Sequence, residues 1–141
     1  MTGIWKLWLT VWWWSGLLFG VVLALGAFPQ TDMPARALMN VLGADAQAQS
    51  VLDAEVSRFV VGVMGAVSIG WMMAIGQLMK LAETGGAPVW RGLVLGFACW
   101  FVPDSIISAA TGFALNIIPN CLLMAGILVP LLATGALRDA R

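Results

Sequence analysis

The sequence predicts an all-α fold: an integral membrane four-helix antiparallel bundle, with a short extracytoplasmic helix between the first and second spans. Composition is the first observation that predicts it. Hydrophobic residues make up 61% of the 141 residues and charged residues only 10%, against roughly 25% charged in a soluble domain. The second is spacing, because the few charges leave uncharged runs of the length needed to cross a hydrocarbon core of roughly 30 Å, about 20 helical residues. The third is that polar character is concentrated in one stretch, residues 29–56. A chain this short has room for one bundle, so a single transmembrane domain over 1–141 is expected, with spans at about 5–28, 57–80, 89–111 and 114–137.

Leu7 to Phe28 carries no charge and opens among Trp5, Trp8, Trp12, Trp13 and Trp14. It has the length of a span and an aromatic interface belt at its start. A signal peptide would have an apolar stretch of only about 7 to 15 residues, so the reading is a retained first helix. In the loop that follows, Asp32 can cap a short helix beginning near Pro34, with Leu38, Val41 and Leu42 on one face and Gly43 ending it. Ser50 and Asp53 resemble a capping box, from which the second helix would run past the bilayer and sink Arg58 towards its boundary. Phe59 to Met79 is the second uncharged run, between Arg58 and Lys80.

Ser105 to Leu137 is uncharged for 33 residues, too long for one crossing of about 20. It must contain a turn, for which Thr111 and Gly112 are the best candidates. Spans three and four then form a tight helical hairpin. Lys6, Lys80, Arg91, Arg138 and Arg141 fall on one side and Arg36 and Arg58 on the other. Counting basic residues in short loops places both termini in the cytoplasm of a bacterial inner membrane.

Helices in lipid associate by close packing and hydrogen bonds rather than by hydrophobic burial, so small residues should mark their contacts. Gly62, Ala66, Gly70 and Ala74 make a four-residue ladder on span two, with Gly16 and Gly20 on span one and Gly92 and Gly96 on span three. Trp71 and Met72 fall off this ladder and are expected to face lipid or a partner. Cys99 and Cys121 read as small core residues.

Asp104 is the leading candidate for a site. Twelve uncharged residues separate it from Arg91, too few to cross the membrane, so the carboxyl must lie within it. A charge there costs on the order of 2.5 to 3.5 kcal/mol and needs a partner, water or a bound proton. Ser108 and Thr111 share its helix face. Asn116 and Asn120 share a face of span four, and both Asp104 and Asn120 lie about eight residues from Gly112. The expectation is therefore two matched rungs, Asp104 with Asn120 and Ser108 with Asn116. Arg58 is the expected ionic partner of Asp104. This constellation serves either as a lock or as a proton or ligand site. Gln77 reads as a lone interhelical hydrogen bond.

The run RFVVGVMGAVSIGW (Arg58 to Trp71), followed by WFVPDSIISAATGFALNIIPN (Trp100 to Asn120), resembles a pattern in small four-span bacterial membrane proteins. The resemblance covers spans two to four. It implies that Arg58, Asp104 and Asn120 belong together, and it implies no mechanism.

The chain has no histidine, the commonest ligand of zinc and haem iron, and no activated nucleophile. No enzyme, metal or cofactor is expected. Net charge is zero without a basic run, which gives no reason to expect nucleic acid as a partner. Membrane lipids, further copies of the chain or a larger membrane complex are the expected partners. The leading functional reading is a structural or accessory subunit. The alternatives are a transporter or channel component using Asp104, or a lipid- or quinone-binding protein.

Overall fold

A computed structural model describes residues 3–42 and 50–138. Five α-helices account for most of them: α1 (Gly3–Leu25), α2 (Met33–Val41), α3 (Glu55–Gly85), α4 (Ala87–Ala110) and α5 (Ile117–Ala133). No strand occurs among the described residues. Short 3-10 turns precede α3, at Ser50–Asp53, and α5, at Ala114–Asn116. Counting the second turn with α5, four helices are long and apolar enough to span a membrane, the mark of a multi-pass membrane protein.

The helix ends follow local chemistry. α4 stops at Thr111 because Gly112 adopts φ +88°, which closes a Schellman turn in which the Phe113 amide donates to the Ser108 carbonyl over 2.9 Å. Gly135, at φ +68°, ends α5 the same way, with the Ala136 amide on the Leu131 carbonyl at 3.0 Å. The expected fourth span thus ends at Ala133 rather than near Leu137. α2 begins near Pro34 as expected, but Asp32 makes no side-chain cap. Its carboxylate is taken by arginines instead. The predicted capping box is a 3-10 turn, and Asp53 likewise turns to Arg36. On α2 the buried residue is Ala35, and Val41 is exposed. Gly43 lies outside the described residues.

The chain divides into two compact units, one of Ser15–Met72 and one of Met1–Trp14 with Met73–Arg141. In the first, α1 and α3 meet backbone to backbone. A Cβ on Gly65 would collide with the Ala24 amide and lie 2.7 Å from the Gly20 carbonyl oxygen. Gly20 faces Ile69 at 3.0 Å, Gly62 faces Ala27 at 2.6 Å, and Gly16 lies under Met72 at 2.7 Å, all measured from an added Cβ. Met72 is therefore buried and does not face lipid.

The four-residue ladder on α3 is not the packing face. Only Gly62 takes part; Ala66, Gly70 and Ala74 are exposed, and Gly70 has nothing within 4 Å. The reason is geometric. Each four-residue step overshoots a full turn by roughly 40°, so three steps carry the ladder about 120° around the helix. The sequence Gly62, Gly65, Ile69, Met72, mixing steps of three and four, stays on one face. Gly92 and Gly96 also have open space around them. They flank the buried stripe of α4, formed by Trp90, Leu93 and Phe97.

In the second unit, tryptophan replaces glycine as the link. Pro130 removes the amide that would bond the Gly126 carbonyl. The Trp8 indole Nε1 donates to that carbonyl at 2.8 Å, and Trp12 Nε1 donates to the Leu123 carbonyl at 3.0 Å. Gly126 leaves room for the Trp12 ring, which also packs on Phe97 with centroids 5.2 Å apart. Cys99 and Cys121 are exposed rather than core residues.

Replacing Gly65 with alanine should destabilise the protein by about 1 to 3 kcal/mol through overpacking against backbone, whereas Gly70→Ala, in open space, should stabilise it by up to about 1 kcal/mol through helix propensity. Melting curves of the detergent-solubilised variants distinguish the two; equal melting temperatures would contradict this packing.

Candidate functional site

At helical spacing the face of α4 runs from buried Phe97 through half-buried Asp104 to buried Ser108, so it carries polar side chains into an otherwise apolar face. The turn at Gly112 brings α5 back alongside. Asn116 and Asn120 then stand at the levels of Ser108 and Asp104, four residues apart on each helix. Asn120 Nδ2 donates to Asp104 Oδ2 and lies 3.4 Å from Ser105 Oγ. Asn116 Nδ2 reaches both Asp104 Oδ2, at 3.1 Å, and Ser108 Oγ, at 3.0 Å. Ser108 and Asn120 are buried, and Asp104 and Asn116 are half-buried.

Both rungs expected from the sequence are present in this geometry. The amides act as crosslinks: each Asn Nδ2 contacts two oxygens, and both Asn side chains donate to the same carboxylate oxygen. Donation to a carboxylate from neutral amides stabilises negative charge without introducing a cation. Thr111 does not join the cluster; its Oγ1 donates to the Ile107 carbonyl at 2.8 Å, a local bond that caps the end of α4. Gln77 is exposed.

Arg58 occupies a different cluster, in the unit Ser15–Met72. Its Nη1 lies 2.9 Å from Asp32 Oδ2 as an ion pair, without the alignment of a hydrogen bond. The expected Asp104 partner is thus replaced by a residue that precedes α2. Asp32 also accepts from Arg36 Nε at 2.9 Å, and Arg36 Nη2 donates to Asp53 at 2.7 Å. Two cations and two carboxylates therefore close a neutral network tying the loop to the start of α3. Within its own unit, Asp104 forms no ion pair with a described lysine or arginine.

Burial pushes the Asp32 carboxyl upward, but the hydrogen bond from Arg36 and the adjacent Arg58 guanidinium outweigh it, leaving the pKa below the ordinary value of 3.8. Arg36 is held above its ordinary value, first by Asp53 and then by Asp32.

No group of histidine, cysteine and acidic side chains able to hold a metal ion occurs among the described residues. Two clefts lie elsewhere. One, of about 740 Å³, is lined by Lys6, Trp13, Lys80, Glu83, Trp90 and Arg138 among others. The second borders Asp53, Glu55 and Arg58. Asp104, Asn116 and Asn120 line neither. Compared with protein-family models, curated proteins and solved structures, the chain matches none of them.

Asn120→Ala should cost about 1 to 3 kcal/mol, since it strips a donor from a carboxylate oxygen inside an apolar span. Asp104→Leu combined with Asn120→Leu should be milder than the sum of the single changes, with a coupling of about 0.5 to 3 kcal/mol. Additive losses in a denaturation cycle would show that the two side chains act independently.

The Asp32 network has a defined pH response. A depressed native pKa means that its contribution is present above the unfolded value and is lost as pH falls through the native one. The segment from Pro29 to Leu42 should keep constant protease resistance from about pH 8 to the ordinary carboxylate value of 3.8 and loosen below it. Asp32→Asn should loosen it already at neutral pH; unchanged cleavage would contradict the role of the network.

Proposed function

We propose that the protein is a non-catalytic, multi-pass subunit of a bacterial inner membrane, which docks its exposed small-residue face against another transmembrane helix, its own copy or that of a larger complex. The observation that carries this reading is the open glycine face of α4. Gly92 and Gly96 stand one turn apart with nothing within 4 Å of either, followed on the same face by exposed Cys99 and Pro103. Glycine in a helix interior gives up roughly 1 kcal/mol relative to alanine. That loss is offset when a second backbone approaches closely.

The polar cluster supports a structural role. Asn116 and Asn120 occupy the same oxygen of Asp104, and neither cleft reaches it. An antiparallel bundle is supported by register within the unit Ser15–Met72: Gly16, Gly20 and Gly65 meet Met72, Ile69 and Ala24, each step up α1 being a step down α3. The basic-residue count supports cytoplasmic termini.

The alternative, a cation or proton path through Asp104, draws on the lack of an ion pair between this residue and a described lysine or arginine of its own unit. It requires Asp104→Asn to leave the fold intact while abolishing a pH-dependent signal in liposomes.

The docking reading is tested in a Cys121→Ser background, where Cys99 marks the open face. Oxidative or bismaleimide crosslinking in native membranes should yield a discrete species larger than the monomer. Gly92→Leu with Gly96→Leu should abolish that species without lowering the melting temperature of the solubilised monomer. A chain that stays monomeric in membranes and in mild detergent would refute the proposal.

A further inference from the structure

The cleft in the unit of Met1–Trp14 and Met73–Arg141 has a graded polarity that neither the Asp104 cluster nor the open glycine face uses. Three walls grade in the same direction. Along α3, the lining runs from Met73 and Gly76 through Gln77 to Lys80 and Glu83, about 15 Å at 1.5 Å per residue. Along α1 it runs from Trp13 through Leu9 to Lys6. The two gradients are aligned by two contacts. Trp13 Nε1 lies 2.8 Å from the position of a Gly76 Cβ at the apolar end, and Lys6 Nζ lies 3.0 Å from Glu83 at the charged end. The third wall, from Thr134 to Arg138, is fixed by the turn at Gly135 and by Arg91 Nε donating to the Leu137 carbonyl at 3.0 Å.

At the charged end Lys6 and Glu83 neutralise each other, which leaves Lys80 and Arg138 as net positive charge among the described lining residues. At the other end Trp13, Leu9 and Met73 present apolar surface. The volume of about 740 Å³ lies within the roughly 300 to 1,000 Å³ of small-molecule sites. We propose that this cleft binds an anionic phospholipid, with the phosphate between Lys80 and Arg138 and one acyl chain laid against Trp13 and Met73. An arginine offers paired donors to phosphate oxygens and a lysine a compact charge. The apolar floor explains why an amphiphile fits better than a free anion. The inference rests on the chain being membrane-embedded and is independent of docking through α4.

The experiment is native mass spectrometry of the full chain in detergent, titrated separately with dioleoyl-phosphatidylglycerol, dioleoyl-phosphatidylcholine and inorganic phosphate. Phosphatidylglycerol should be retained more strongly than phosphatidylcholine. Lys80→Gln with Arg138→Gln should weaken it by roughly twenty-five-fold, about fivefold for each basic residue near an anionic headgroup, and Lys80→Arg should restore most of the Lys80 share. Both side chains are exposed, and an unchanged melting temperature without added lipid checks that the double variant is folded. Equal retention of the two lipids would overturn the proposal, as would indifference to the double substitution. Displacement of phosphatidylglycerol by inorganic phosphate at comparable concentration would overturn the amphiphile and leave a site for a free anion. None of these readouts depends on crosslinking at Cys99.

Discussion

Hydrocarbon supplies no hydrophobic drive between helices, so any two that stay together in it must gain from close contact or from hydrogen bonds. The two units meet that constraint in different ways. In Ser15–Met72 it is met by backbone proximity, with Gly65 seated on Ala24 and Gly20 on Ile69. In the other unit it is met by donors and acceptors: indole nitrogens on backbone carbonyls and asparagine amides on a carboxylate. The division follows composition. The tryptophans cluster in the first half of α1, whereas glycine and alanine recur in its second half.

The Asp104 cluster depends on where one turn falls. Because Gly112 can take a positive φ, α4 ends sharply, and the distance from the turn to each polar residue is matched on both sides. This equal spacing made the rungs legible in the sequence. Each asparagine sits about as far past Gly112 as its partner sits before it, and a hairpin leaves little freedom in register.

Other parts were less legible for physical reasons. Arg58 has a carboxylate partner 26 positions earlier in the chain, at Asp32. That pairing depends on how the chain leaves α1 and folds over Gly26 onto Ala35, and no periodicity encodes it. The glycine ladder on α3 was misleading because a constant step of four drifts around a helix of 3.6 residues per turn. The contacts of Trp8 and Trp12 were also missed, since a tryptophan belt reads as an interface anchor. A signal was present in Pro130, four residues after Gly126, which marks a carbonyl in need of an outside donor.

That carbonyl has a consequence for biogenesis. α1 and α5 are synthesised far apart in time, and the Trp8 to Gly126 bond spans 118 positions. Until α1 meets it, α5 holds a polar group in lipid without a partner, a state that costs several kcal/mol. α5 is thus drawn to α1. Synthesis of α5, rather than insertion of the helices before it, is the event that gives the Trp8 and Trp12 donors their carbonyl partners.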